Sequence, residues 1–266
     1  MQLDDVTISR AITKSFMEDF QQAMDVEVAI GGAGPAGMTA AYYLAKEGVK
    51  TVIFERSLRP GGGMPGGGMM FNTIVVQEEA KGILDEFDVR TREYERGYYT
   101  ADAVEASSAI CLKAIQAGAK IFNLISIEDV MVRENDRISG LVLNWSAVMS
   151  AGLHVDLLSI RAKLVIDATG HASEICHIVV DKLCGRLNTE GGGVMGEKPM
   201  WAEVAENKIL ENTKEVYPGL IVAGMAANAV YGTHRMGPIF GGMLLSGKRA
   251  AEVAIDILQQ LKVSQK

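Results

Sequence analysis

The chain has 266 residues, of which 48% are hydrophobic and 22% are charged, and this composition is typical of a globular protein with a substantial core. Its formal net charge of −7, with only 26 basic residues, argues against a nucleic-acid-binding surface. The three cysteines, Cys111, Cys176 and Cys184, form no CxxC motif, which argues against a disulfide framework. The most apolar stretch, 219–230, is shorter than the roughly 20 residues of a membrane span. We therefore expect a cytoplasmic protein with no membrane or nucleic-acid partner.

Predicted helices alternate with predicted strands along the chain. Apolar residues at a spacing of four, from Ile8 to Phe20, predict an N-terminal helix, and short β-branched runs predict strands. In chain order the elements are a helix at 6–24, a strand at 26–30, a helix ending near 46, a strand at 51–55, helices at 76–86 and 101–117, a β-hairpin formed by 120–133 and 138–145, strands at 163–169 and 220–224, and a closing helix. This alternation predicts an α/β fold with a mostly parallel central sheet. We expect one domain over 1–266, in which a β-rich excursion at about 119–160 adds a hairpin layer.

A G-x-G-x-x-G motif lies between the first predicted strand and its helix, with glycines at Gly32, Gly34 and Gly37. Such glycines permit a tight turn and let backbone amides approach a pyrophosphate at the positive end of a helix. Glu55 ends the next strand, where a carboxylate can hold the hydroxyls of an adenosine ribose. A tight turn without a ligand is the alternative, but strand, helix and acid together favour a Rossmann-like dinucleotide site.

Two further segments resemble the two-dinucleotide-fold flavoproteins. Residues 165–170 (VIDATG) are similar to that group's strand-then-ATG segment, and residues 218–224 (PGLIVAG) are similar to its last strand. In that group an aspartate follows the last strand and binds the ribityl-phosphate side of the flavin, whereas Met225 stands here. We therefore expect a ligand that contains ADP, and no FAD.

Four polar residues outside the nucleotide motif could take part in chemistry. His154 and Asp156 would share one face if their segment is extended, and His171 follows the strand that ends at Thr169. Imidazole and carboxylate ligands suit Fe(II), although buried, hydrogen-bonded polar residues are the simpler interpretation of spacing alone. Arg235 could bind a carboxylate in bidentate fashion, or it could form an exposed salt bridge.

Together these segments resemble the thiazole synthase family of thiamin biosynthesis, and the match covers most of the chain. The matching segments are the N-terminal helix, GGAGPAG (31–37), FERS (54–57), PGGGMPGGGMMFN (60–72), NWSAV (144–148), LHVDLLSI (153–160), DATGH (167–171) and HRMGPIFGGM (234–243). In such enzymes NAD is a substrate: its nicotinamide leaves, and the ADP-ribose part reacts with glycine and sulfur to form an ADP-linked thiazole carboxylate.

The resemblance also implies a subtype. Eukaryotic members use the sulfur of a cysteine in the segment that matches 153–156, but this chain has His154 there. It therefore resembles the archaeal type, which takes sulfide with Fe(II) and turns over. By resemblance Asp156 and His171 ligate iron, with Asp156 supplied by a neighbouring subunit of a homo-octamer, and Arg235 holds the glycine carboxylate. Leu157 departs from the proline expected in this pattern.

Further roles follow from the same resemblance. Glu55 and Arg56 would contact the adenosine ribose, and Ala36 would offer its backbone amide. Gly63, the backbone of Ile127 and Met225 would lie near the nucleotide. Because repeated enolisation needs proton transfer, His154 is the candidate acid and base.

Two other enzyme classes remain as alternatives. An FAD-dependent oxidoreductase would share the nucleotide motif, and a ribose bisphosphate isomerase would share the ketose chemistry. A nucleotide-binding module without catalysis is a third alternative, but it leaves His154, Asp156, His171 and Arg235 unexplained.

Overall fold

The computed structural model describes residues 3–183 and 186–264, so Cys184 lies outside the described residues. The helices are α1 (Asp5–Gln22), α2 (Pro35–Lys46), α3 (Glu78–Glu86), α4 (Ala103–Gln116), α5 (Ser146–Ser150), α6 (Glu174–Leu183), α7 (Ala202–Asn212), α8 (Met225–Val230) and α9 (Gly241–Ser264). The strands are β1 (Asp25–Gly31), β2 (Thr51–Glu55), β3 (Thr73–Gln77), β4 (Thr91–Glu95), β5 (Tyr98–Asp102), β6 (Lys120–Asn123), β7 (Ile125–Val132), β8 (Ile138–Trp145), β9 (Leu158–Asp167), β10 (Glu215–Tyr217) and β11 (Leu220–Val222). Within these ranges, no helix is both long and apolar enough to cross a bilayer.

Strand β1 occupies the middle of the main sheet. The strand order is β10-β11-β9-β1-β2-β6, and the pairs β11–β9, β9–β1, β1–β2 and β2–β6 are parallel. Successive residues of β1 point to two cores. Val28 and Ile30 belong to the core formed with α2, α4 and α9, whereas Ala29 belongs to the core formed with α6 and α8. Helices thus cover both faces, and the predicted α/β fold with a mostly parallel central sheet is confirmed.

Strands β7 and β8 form the hairpin that the sequence predicts. Ile125 lies opposite Trp145, and the strands stay paired as far as the turn. In that turn Asn135 and Asp136 have φ values of 60° and 54°, a left-handed conformation that these two residue types tolerate. Strand β8 also pairs antiparallel with β9, so the hairpin is hydrogen-bonded into the main sheet.

A small antiparallel sheet, which the sequence patterns do not predict, forms from β3, β5 and β4. The helices predicted from 76 and 101 begin at Glu78 and Ala103, and the residues before each of them are strands. Helix α4 starts after β5 because the Asp102 carboxylate accepts hydrogen bonds from the backbone N–H groups of Val104 and Glu105, which caps the helix.

The N-terminal helix α1 is as predicted to within two residues at each end. The Asp4 carboxylate accepts a hydrogen bond from the Thr7 N–H at 2.7 Å and caps the helix. Near the other end Phe20 is buried and stands edge-on to Phe122, with ring centroids 5.0 Å apart. Ile12 in the middle of the predicted apolar stripe is 66% exposed, so the single chain covers this stripe only at its C-terminal end.

Candidate active site

A cavity of about 790 Å³ opens where β1, β2 and β9 end. Here the chain continues from β1 to β2 on one side, while β9 and β11 lie on the other, and open α/β sheets bind ligands at such a reversal of strand order. The volume falls within the roughly 300–1,000 Å³ that small-molecule sites occupy. The cavity is lined by nine of the predicted site residues: Gly32, Gly34, Ala36, Glu55, Arg56, Gly63, Ile127, His171 and Met225.

The three motif glycines differ in what requires them. A Cβ atom at Gly32, where φ is 95°, would lie 2.5 Å from the Ala168 carbonyl oxygen, and one at Gly37 would lie 2.1 Å from the Gly32 carbonyl oxygen. Close packing of the turn therefore excludes side chains at both positions, and Gly37 supports the turn from outside the cavity lining. A Cβ atom at Gly34 would meet no described atom within 4 Å. Packing within the described residues therefore does not explain this glycine, and the open space beside it would let a ligand approach the backbone.

The N-terminus of α2 faces the same cavity. The helix begins with Pro35, and none of the described side chains caps it. The N–H groups of its first turn, including that of Ala36, have no partner within the helix and attract anions together with the helix dipole. The Gly61 N–H donates to the Ala33 carbonyl at 2.7 Å, which holds the second glycine-rich loop against the turn.

Glu55 ends β2 with its side chain held in one orientation. The residue is only 7% exposed. One carboxylate oxygen accepts from the Ala33 N–H and the other from the Ser57 N–H, both at 2.8 Å. Each oxygen keeps further acceptor capacity, so the carboxylate can accept hydrogen bonds from two neighbouring ligand hydroxyls.

Arg56 follows Glu55 and forms an ion pair with Glu174 at the start of α6. Burial raises the pKa of the Glu174 carboxyl, and the Arg56 charge opposes that shift. The Arg56 side chain is 61% exposed. A ligand in the cavity can therefore reach its guanidinium group without unpacking the core.

His171 lies in a short turn after β9 and lines the cavity. Its Nδ1 is 2.7 Å from a carboxylate oxygen of Glu197. The turn itself is held by the buried Asp167, which accepts hydrogen bonds from the N–H and the hydroxyl of Thr169 and from the Cys176 N–H. A carboxylate on Nδ1 leaves Nε2 as the ring nitrogen for a ligand or metal.

His154 and Asp156 lie apart from this cavity. Residues 153–157 are exposed and adopt neither helix nor strand, since β9 begins at Leu158. In the single chain, 153–157 therefore has no β-ladder partner among the described strands. Within the described residues, no three His, Cys, Asp or Glu side chains are grouped so that they could hold a metal ion.

Arg235 also lies outside the cavity lining, with its side chain exposed. Its backbone is fixed by two hydrogen bonds: its N–H donates to the Lys198 carbonyl at 3.1 Å, and its carbonyl accepts from the Trp201 N–H at 3.0 Å. Two residues later Gly237 does line the cavity. Arg235 is thus on a loop that reaches the site, while its guanidinium group faces solvent.

A family model and a solved structure each match most of the chain. The Thi4 family matches residues 9–240. The chain belongs to the Thi4 family. A protein of Methanothermobacter thermautotrophicus named thiamine thiazole synthase is 60% identical over 259 residues, which cover 97% of this chain and 100% of that protein. A protein of the same name from Pyrococcus furiosus is 54% identical, and the match covers 97% of this chain and 99% of that protein. The chain in the crystal structure of Thermovibrio ammonificans THI4 is 50% identical in sequence. The match covers 97% of this chain and 100% of that chain, and the two structures superpose with a TM-score of 0.94.

Several residues of this Thi4 cavity were not singled out by the sequence analysis. They are Arg59, Met64, Thr169, Glu174, Phe240 and Met243 in the lining, and Glu197 behind His171. Arg59 could have been found, since it directly precedes the second glycine-rich loop (60–72). Glu197 carries no such signal, because its contact with His171 joins positions 26 residues apart.

Proposed function

We propose that this chain is a thiamine thiazole synthase that uses NAD, glycine and sulfide, with Fe(II), to make an ADP-linked thiazole carboxylate. The observation that carries the proposal is the nucleotide cavity of a Thi4-family chain, in which Gly34 leaves open space beside an uncapped helix and Glu55 presents a fixed carboxylate.

The cavity offers polar partners for both the pyrophosphate and the adenosine ribose of NAD. The pyrophosphate would lie over Gly34 and the first turn of α2, where unpaired N–H groups and the helix dipole favour an anion. The adenosine ribose would place its two hydroxyls on Glu55, with Arg56 and Arg59 beside it. Met225 replaces the carboxylate that a flavin's ribityl side needs, so this site favours an ADP compound other than FAD.

Glycine would be bound through its carboxylate by Arg235, whose planar guanidinium forms two parallel hydrogen bonds with a carboxylate. Its side chain is exposed in the single chain, so it is available to turn toward the cavity from the loop that Gly237 joins to the lining.

The sulfur source is external in this proposal. His154 stands where a sulfur-donating cysteine would be, and the sequence contains no cysteine between Cys111 and Cys176. A chain that keeps its own sulfur can act repeatedly, so product should accumulate beyond the amount of protein.

The described residues of one chain do not by themselves fit a complete iron site. His171 faces the cavity, but Asp156 lies on an exposed segment outside it. We therefore place the metal between copies in a homo-octamer, with His171 from one copy and Asp156 from the next. When bound there, Fe(II) would act as a Lewis acid that orients substrate and sulfide. Glu197 would hold the imidazole ring of His171 in place. His154 lies on the same exposed segment as Asp156, so it would enter the shared site together with Asp156 and could accept and return the protons of enolisation.

An anaerobic incubation with NAD, glycine, sulfide and Fe(II), followed by mass spectrometry of the small molecules, tests the function. We expect an ADP-thiazole carboxylate in molar excess over protein. Untouched NAD together with a yellow, flavin-containing protein would overturn the proposal in favour of an oxidoreductase. Turnover of a ribose bisphosphate without glycine or sulfide would overturn it in favour of an isomerase.

Replacing Glu197 with glutamine should lower thiazole formation about tenfold and weaken Fe(II) binding. The substitution keeps the size of the side chain but removes the charge that holds Nδ1 of His171, and losing such a partner reduces metal affinity or activity by about 10–100-fold. Anaerobic Fe(II) titration and initial rates would measure both effects. Glu190→Gln is the matched control, because Glu190 is an exposed acid in the same connecting segment. Equal iron affinity in the Glu197 and Glu190 variants would contradict the assignment.

A further inference from the structure

A partly buried acid–amide pair joins three elements beside the cavity. Glu206 on α7 lies against Gln77 at the end of β3, and the Gln77 Nε2 donates to a Glu206 carboxylate oxygen at 2.6 Å. The same carboxylate accepts a hydrogen bond from the Gly242 N–H in the first turn of α9. The Glu206–Gln77 pair therefore links α7 and β3 to the start of the last helix.

The Glu206–Gln77 pair leaves no room for a side chain at the two glycines that begin α9. A Cβ atom at Gly241 would lie 1.6 Å from Oε1 of Gln77, and one at Gly242 would lie 2.8 Å from Oε2 of Glu206. Next to them the Phe240 N–H donates to the Val75 carbonyl of β3 at 2.9 Å. Helix α9 is thus seated on β3 through backbone contact and through the Glu206–Gln77 pair.

The contacts that hold the start of α9 against β3 also determine the position of one wall of the cavity. Phe240 and Met243, which flank the two glycines, both line the cavity, as does Gly237 at the start of the same loop. Any shift of the first turn of α9 would move these side chains with it. The Glu206–Gln77 pair is outside the cavity but sets the position of its wall.

When Glu206 is ionised, the Glu206–Gln77 pair has too few hydrogen-bond donors for its acceptor oxygens. Oε1 of Glu206 and Oε1 of Gln77 are both buried without a hydrogen-bond partner among the described residues. Both are acceptors when Glu206 is ionised, whereas protonation of the Glu206 carboxyl group adds a donor to the pair. An ionised Glu206 therefore leaves buried acceptors unsatisfied, which destabilises this arrangement.

The surroundings of Glu206 favour its protonated form. Burial raises the pKa of Glu206 to about 7, although the hydrogen bonds from Gln77 and Gly242 oppose the shift, and the negative charge of Glu79 on α3 adds to it. Strand β3 and residues 241–247 contain no charged side chain. The first basic side chains of α9 are Lys248 and Arg249, and neither is among the causes of the pKa shift. An unfolded chain ionises this group near 4.5. Because the folded pKa is the higher one, ionisation lowers the free energy of unfolding progressively as the pH rises from about 4.5 to about 7.

We infer that Glu206 is a positioning residue: its protonated form holds the α9 wall against the nucleotide, and its ionisation loosens that wall, so that nucleotide affinity falls as the pH rises through neutrality. The inference rests on the proposed function for the identity of the nucleotide. The movement of the wall does not depend on it.

Hydrogen exchange of the ligand-free protein tests the wall directly. Protection factors for amides 240–245, corrected for the intrinsic pH dependence of exchange, should fall between pH 6 and pH 8.5 in the wild-type protein. Glu206→Gln should remove that fall, because an amide keeps the size and supplies a donor at every pH. Glu203→Gln is the control, since Glu203 is an exposed acid on α7 and should leave the fall unchanged. Wild-type protection that does not vary with pH would overturn the inference, with no variant needed.

Nucleotide binding over the same pH range separates this inference from the proposed function. If only the protonated form closes the wall, the Kd for NAD or ADP should rise about tenfold from pH 6 to pH 8.5 in the wild type and stay level in the Glu206→Gln protein. Equal pH slopes in both proteins would refute the role of Glu206. Failure of either nucleotide to bind at any pH would instead refute the proposed function, while the exchange measurement would still decide the inference.

Discussion

Replacing His171 with alanine is expected to lower the rate of thiazole formation at least about 100-fold while leaving the Kd for NAD within about twofold. Loss of a residue that only holds a metal ligand costs about 10–100-fold, so loss of the ligand itself should cost more. NAD binding should survive because His171 is one of many lining residues, and Gly34 and Glu55, which we propose for the pyrophosphate and the ribose, are unchanged in this variant. Initial rates with saturating Fe(II) and an equilibrium NAD titration would measure the two effects.

His177→Ala is the matched control, because His177 is an exposed histidine six residues further along the chain. Comparable turnover in the His171→Ala and wild-type proteins would remove His171 from the metal site.

A mixing experiment extends the same prediction to the sharing of the site between copies. The Asp156→Ala and His171→Ala chains should each be inactive alone. Co-expressed, they should regain part of the activity, because some junctions between copies then combine an intact His171 with an intact Asp156. No recovery in verified mixed assemblies would contradict a shared site.

Replacing Gly34 with alanine is expected to raise the Kd for NAD at least about tenfold, a loss of roughly 1.4 kcal/mol. The backbone of Gly34 has φ −78° and ψ 179°, which any residue adopts, and the added Cβ meets no described atom within 4 Å. The folded chain should therefore tolerate the methyl group, which would occupy space that the pyrophosphate needs. Calorimetric titration with NAD and thermal unfolding of the free protein would measure the two consequences.

Gly37→Ala provides the contrast for this prediction. Its Cβ would lie 2.1 Å from the Gly32 carbonyl oxygen, so we expect the melting temperature to fall clearly in this variant and to stay nearly unchanged in Gly34→Ala. If the Gly34 variant binds NAD as the wild type does, the pyrophosphate does not lie over this turn.

The glycine turn and Glu55 of the candidate site could be predicted from the sequence because their signals are local. Strand β1, the glycine turn and helix α2 follow one another directly, and Glu55 ends the next strand, so the parallel βαβ unit brings them to one edge of the sheet. The same locality made the hairpin of β7 and β8 predictable, since the turn at Asn135 and Asp136 joins strands adjacent in the chain.

Elements that depend on distant pairing were not predictable in this way. The residues of β3, β4 and β5 become strands by pairing with one another, and the two helices predicted there were extended into β3 and β5. The apolar stripe of α1 correctly predicted a helix. The spacing of its apolar residues does not indicate what they pack against, and in the single chain Ile12 is 66% exposed.

The sequence by itself determined the α/β class, the glycine turn and the position of Glu55 at a strand end, because hydrophobic periodicity and glycine conformation act over a few residues. Only the tertiary structure showed that Glu197 lies on His171, that Arg59 lines the cavity, and that Glu206 and Gln77 seat the start of α9. It also separated His154 and Asp156 from His171 within one chain. These contacts join residues far apart in the chain, and packing between elements creates them rather than any local preference.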